Sequence, residues 1–324
     1  MPRVPIALAY AAAAALLASA APLVAYAGSL ALFGLPHVLT ELRYVDGRFG
    51  RRLGAGRVTA LVGLLLLAVA LRTLGWLGRV DPQEAFAAEL GVVAVLAFVT
   101  VPDLVHVPWM ALLALAGGGA LALGSWQAPV TTLTVLAILH NLTPWGFLAE
   151  RAAPGAPRRR VAALGLLLFV GVPVVIALGG LAALWNAGGL PATTGGFGSV
   201  GTLSMHRGVF VPAAWLDRAG ATDVFSAVTY LQLMHYGVVL LVMPRLLAGG
   251  AGADRPRLPW PRARWLAVGI AAVGLVATVG FVRDFGGTRA AYGVVASVHA
   301  WIEVPMLLWF LVPPRRPLPG RHGA

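Results

Sequence analysis

This sequence predicts an all-α protein, a polytopic membrane-embedded bundle of about nine transmembrane helices forming a single domain over residues 1–324. Three observations predict it. Of 324 residues, 59% are hydrophobic and only 11% charged, with a mean hydropathy of +0.83. A soluble domain carries roughly 25% charged residues to wet its surface, so lipid is the solvent that suits this chain. Apolar runs of the roughly 20 residues that a spanning helix needs recur from end to end. The arginines fall in short clusters between those runs.

Residues 1–45 are too long for one straight crossing and too short for two with a comfortable loop. A long or broken first element is expected, its second half, about 24–45, crossing the membrane. The Ala-Ser-Ala-Ala stretch at residues 18–21 also resembles a small-residue cleavage site, but the preceding segment carries only Arg3, a weak basic lead for a signal peptide. Eight further spans are expected at about 55–78, 85–105, 107–127, 129–150, 161–186, 224–247, 263–283 and 290–312.

The arginine clusters orient these spans. They are Arg43, Arg48, Arg51, Arg52 and Arg57; Arg151, Arg158, Arg159 and Arg160; Arg245, Arg255, Arg257, Arg262 and Arg264; and Arg315, Arg316 and Arg321. Even numbers of spans separate successive clusters, so all four fall on one side, cytoplasmic by the positive-inside rule, with the C-terminus. The Gly-rich stretch at about 187–223, with His206, Arg207, Asp217 and Arg218, then lies outside. It reads as a long loop or a lid. The net charge of +12 and pI of 11.4 follow from these clusters. No nucleic acid partner is expected; the lipid bilayer is. There is no cysteine, which excludes disulfides, thiolate metal sites and cysteine nucleophiles. Dinucleotide, phosphate-loop, zinc-protease and EF-hand signatures are absent, as is any internal repeat.

Function is carried by ionisable residues inside the spans, where they are costly and suspect by default. His37, His140, His235 and His299 each sit well inside a span, all on helices expected to run in the same direction and at comparable depth. Glu41 and Glu303 each follow one of these histidines by four residues. That spacing puts imidazole and carboxylate on one helix face, about 6 Å apart along the axis. Imidazole and carboxylate without thiolate suit non-haem iron, manganese or zinc. All six residues are candidate metal ligands, with Glu41 and Glu303 as candidate catalytic groups. The bland reading is that these are helix–helix hydrogen bonds and i,i+4 pairs that satisfy each other. Arg72 is expected to snorkel and Glu89 to reach the interface. His106 is expected at a turn and Glu150 at a helix end beside Arg151. Tyr236 and Trp301 pack either inward or against lipid, and Met234 belongs to the core. Pro36 and Pro144 flank two of the histidines, with Asn141 and Thr143 adding polarity.

The segment from Phe33 through Gly34, Leu35, Pro36, His37, Val38, Leu39 and Thr40 to Glu41 resembles the Gly-Leu/Ile-Pro-His-x-x-x-Asp element of the Brp/Blh family of bacterial β-carotene dioxygenases. This chain has Val38 where the family has glycine and Glu41 where it has aspartate. It also lacks the family's paired histidines on a late helix, with Val239 one turn after His235 and Glu303 one turn after His299. The resemblance implies a bacterial inner-membrane protein with His37 as an iron ligand, O₂ as a co-substrate and a hydrophobic, carotenoid-like substrate. Two other readings stand beside this iron-dependent oxygenase or oxidoreductase. One is a b-type haem protein for electron transfer or haem modification, held by paired histidines. The other is a proton-coupled transporter.

Overall fold

The computed structural model describes residues 4–50, 53–152, 155–190, 192–248 and 256–310. Arg51, Arg52, Arg255, Arg315, Arg316, Arg321 and His322 lie outside them. The helices are α1 (Val4–Ala20), α2 (Pro22–Phe49), α3 (Ala55–Trp76), α4 (Pro82–Leu104), α5 (Pro108–Gln127), α6 (Pro129–Arg151), α7 (Ala156–Ala177), α8 (Gly180–Ala187), α9 (Ala221–Leu247), α10 (Ala263–Arg283) and α11 (Phe285–Phe310). Among the described residues, nine of these are long and apolar enough to cross a membrane, all but α1 and α8. The chain is a polytopic helical membrane bundle.

Proline starts several spans. Pro22, Pro82, Pro108 and Pro129 occupy the first turn of α2, α4, α5 and α6, where a missing N–H costs nothing and the fixed φ suits a helix. At α4 the Asp81 carboxylate also accepts the amide N–H groups of Gln83 and Glu84. Pro22 also breaks the first element into α1 and α2, and the 17-residue α1 is short for a crossing. It docks on α9, with Tyr10 Oη donating to the Leu233 carbonyl at 2.7 Å. Gly237 permits this approach, since a Cβ there would lie 2.5 Å from the Tyr10 ring.

The expected span at 161–186 is corrected. Gly179 takes a left-handed φ of 78°, ending α7 at Ala177 and starting α8 as a separate short helix. Within α7, a π-helical turn over Leu167–Gly171 hands the Val172 N–H to Leu167. Pro173 has no N–H for the next carbonyl, and the Tyr230 hydroxyl donates to Leu168 O at 2.9 Å instead.

α9 and α2 are the most enclosed spans, with 78% and 61% of their apolar windows buried, against 17% for α3 and 11% for α10. They form the axis. α10 and α11 pack on α2, and α11 also packs on α3 and α4. At one end, the 192–220 loop inserts Val200, Leu203, Phe210 and Val211 among Leu23, Tyr26, Phe225 and Phe285. It is a packed cap on the bundle.

Candidate metal centre

Each of the four histidines occupies the middle of its span. His37 lies in α2 directly after Pro36, and its Nδ1 donates to the Phe33 carbonyl at 3.1 Å. That leaves Nε2 as the lone-pair nitrogen. His140 ends the first half of α6, which turns at Asn141 and Leu142 and resumes at Thr143 with Pro144 in its first turn. His235 precedes a π-helical turn, Val238–Val242, in α9. His299 lies on α11. These are the first, fifth, seventh and ninth spans, so in an alternating bundle all four run the same way.

The four histidines meet. One ring nitrogen from each lies within 4.8 Å of the other three. His37 Nε2 and His299 Nε2 are 3.0 Å apart. The rings close a circuit, with centroids 4.8 Å apart for His37 and His299, 4.9 Å for His299 and His140, 4.6 Å for His140 and His235, and 5.2 Å for His235 and His37. Metal–nitrogen bonds of about 2.0–2.1 Å put adjacent donors roughly 3.0–3.4 Å apart and opposed donors roughly 4.1 Å apart. The closest pair, at 3.0 Å, matches adjacent donors, while the widest separation, up to 4.8 Å, exceeds that of opposed donors, so a single ion would draw the imidazoles slightly together.

The carboxylates stand behind the imidazoles. Glu303 Oε2 meets His140 Nδ1 at 2.6 Å, and Glu303 Oε1 accepts from Thr143 Oγ1 at 2.9 Å. With Nδ1 engaged, His140 has Nε2 left for ligation, the arrangement by which outer carboxylates fix metal-binding histidines. Glu41 is fully buried, and its Oε2 lies 3.6 Å from His235 Nε2. Both Glu41 oxygens, both His235 ring nitrogens and His299 Nδ1 are buried without a hydrogen-bond partner among the described residues. Buried polar atoms are rarely left so, and a shared cation would satisfy several together.

Two cavities reach the centre. One, of about 370 Å³, runs between α2, α6, α9 and α11 and is lined by His37, His140, His299, Tyr236, Tyr292 and Arg289, with Gly208, Val209 and Phe210 of the cap loop closing over it. The other, of about 550 Å³, lies between α5, α6 and α11 and touches His140, Thr143 and Glu303. His140 is the least enclosed of the four and forms part of both walls. His235 lines neither.

Several expectations for the other polar residues are corrected. Arg72 does not snorkel, and Glu89 does not reach the interface. Glu89 is fully buried and receives Arg72 Nε at 3.0 and 2.9 Å and the Trp301 indole N–H at 2.6 Å. Glu150 stands at the end of α6 beside Arg151, as expected, and also pairs with Arg48 of α2 at 2.6 Å. Tyr236 and Trp301 both face inward, and the Tyr236 ring lies 4.3 Å from that of His37. Met234 is core, and His106 is exposed at its turn, as expected. The Arg72–Glu89 pair had a sequence signal. The residues lie four and seven positions from the ends of consecutive spans that share a short turn, which places them at matching depth.

No protein-family model, curated protein or solved structure matches the chain.

Proposed function

We propose that this is a membrane-embedded metal enzyme, an iron-dependent oxygenase or oxidoreductase acting on a hydrophobic, carotenoid-like small molecule in a bacterial inner membrane, with its C-terminus cytoplasmic. The observation that carries the proposal is the convergence of four imidazoles within 4.8 Å at mid-span. His37, His140, His235 and His299 hold the metal. A bound iron would supply activation of O₂. Glu303 orients His140, and Glu41, facing His235, is placed to accept or return a proton at Oε2. The cavity beside His37, His140 and His299 admits an apolar substrate and excludes water from the centre.

The haem reading is less favoured by this crowding. A bis-histidine haem needs a flat slot between two imidazoles, and here the remaining two fill that space. Proton-coupled transport draws its support from the buried Glu41 carboxylate, whose oxygens accept no hydrogen bond among the described residues. Metal analysis and an absorption spectrum of detergent-purified protein separate the three. Stoichiometric iron without a Soret band supports the non-haem centre, and a Soret band supports haem. Folded protein never exposed to chelator that holds neither moves the function to proton transport.

A further inference from the structure

The cavity beside the histidines has a charged end. Arg289, Tyr292, Ala296 and His299 follow one another on α11 at spacings of three, four and three, so they form one stripe along one face. Each of these residues lines the cavity. Arg289 stands ten residues before His299, about 15 Å along the helix, at the end roofed by the cap loop. Tyr26, Tyr236 and Tyr292 line the same cavity.

The charge on Arg289 is not cancelled. Arg48 and Arg72, also packed between spans, are each held by a glutamate, and Arg151 donates to the Leu246 carbonyl. Among the described residues, no carboxylate lies within ion-pair distance of Arg289, which is only half-buried. A cation that merely snorkelled would point its head to water or lipid headgroups. This one forms part of the wall of a cavity whose far end is the histidine cluster and whose other polar lining includes Asn141, Gln232 and Arg72, the last already held by Glu89. A guanidinium so placed favours an acidic oxygen head, to which it offers charge-assisted, two-pronged hydrogen bonds.

We infer that the cavity binds a single-chain anionic amphiphile, its carboxylate or phosphate head on Arg289 and its apolar chain running along α11 so that atoms about 15 Å from the head lie against the histidines. This rests on the proposed enzyme using this cavity for its substrate, and it narrows that hydrophobic substrate to one carrying an acidic head.

The test is equilibrium binding of radiolabelled palmitate, hexadecyl phosphate and hexadecanol to the full chain in phosphatidylcholine nanodiscs, with iron content measured on the same samples. The expected result is saturable binding of one acidic probe per chain, with hexadecanol weaker by about tenfold or more. Arg289→Gln should lose that preference while keeping its iron, and Arg289→Lys should recover part of it. The better acidic probe decides between carboxylate and phosphate. Equal binding of hexadecanol, or an Arg289→Gln variant that binds acids as the wild type does, overturns the inference whatever the iron content. Acid-selective binding lost in Arg289→Gln but found in protein that never holds iron supports the head site and removes the metal reading alone.

Discussion

Glu303→Gln is the substitution that separates an orienting carboxylate from a ligand. Glutamine keeps the volume at a site where Glu303 is 1% exposed, so packing against α6 is retained. The change is electrical. The 2.6 Å contact to His140 Nδ1 becomes a bond to a neutral amide, about half as strong as one to a carboxylate. Losing such a partner weakens metal binding by roughly 10–100-fold. That corresponds to about 1.4–2.7 kcal/mol. Chelator competition for iron(II) under anaerobic conditions, in wild-type and variant protein at one pH, measures it directly. Thr143→Val removes only the hydroxyl that contacts Glu303 Oε1 and should cost less than Glu303→Gln. An unchanged dissociation constant would refute the orienting role. A loss as complete as that of a histidine variant would make Glu303 a ligand.

His140→Ala and His299→Ala should each empty the centre while the protein still purifies as a monodisperse helical species; full metal and activity in both would end the four-histidine proposal. Glu89→Leu leaves Arg72 packed between helices without its partner and should cost about 3–5 kcal/mol of unfolding free energy, most of it recovered in Arg72→Leu/Glu89→Leu, as read by denaturation in mixed micelles. Tyr230→Phe strands the Leu168 carbonyl beside Pro173 and should cost about 1–3 kcal/mol by the same assay, whereas a neutral result would mean that the π-helical turn relaxes to satisfy itself.

The spans were legible because lipid leaves one solution to the backbone, a helix, and a helix of spanning length needs an apolar run of matching length. The histidines were legible because each is a costly group at the middle of such a run. What escaped has physical reasons. The break at Gly179 sits in sequence as apolar as its flanks, marked only by the Gly179-Gly180 pair that supplies its left-handed turn. Tyr236 and Trp301 were ambiguous because a residue one or two positions from a histidine points about 100° or 200° around the helix. That argument decides nothing on α9, which is enclosed on every side. Arg72 and Glu89 looked like interface residues when each was weighed by itself. Their burial becomes affordable only as a pair, with the Trp301 N–H as a third member.

That the four histidine-bearing helices run the same way sets the timing of assembly. Parallel helices cannot be neighbours in a simple hairpin, so every histidine of the cluster after the first must wait for intervening spans to be threaded. His37 lies on the first described span, and its nearest imidazole partner is made 262 residues later, on α11. Until α11 inserts, the nascent chain lacks His299 and the carboxylate that steadies His140. If the proposed centre binds a metal, its four imidazoles can meet around it only once α11 has inserted, and capture would report that the bundle has closed.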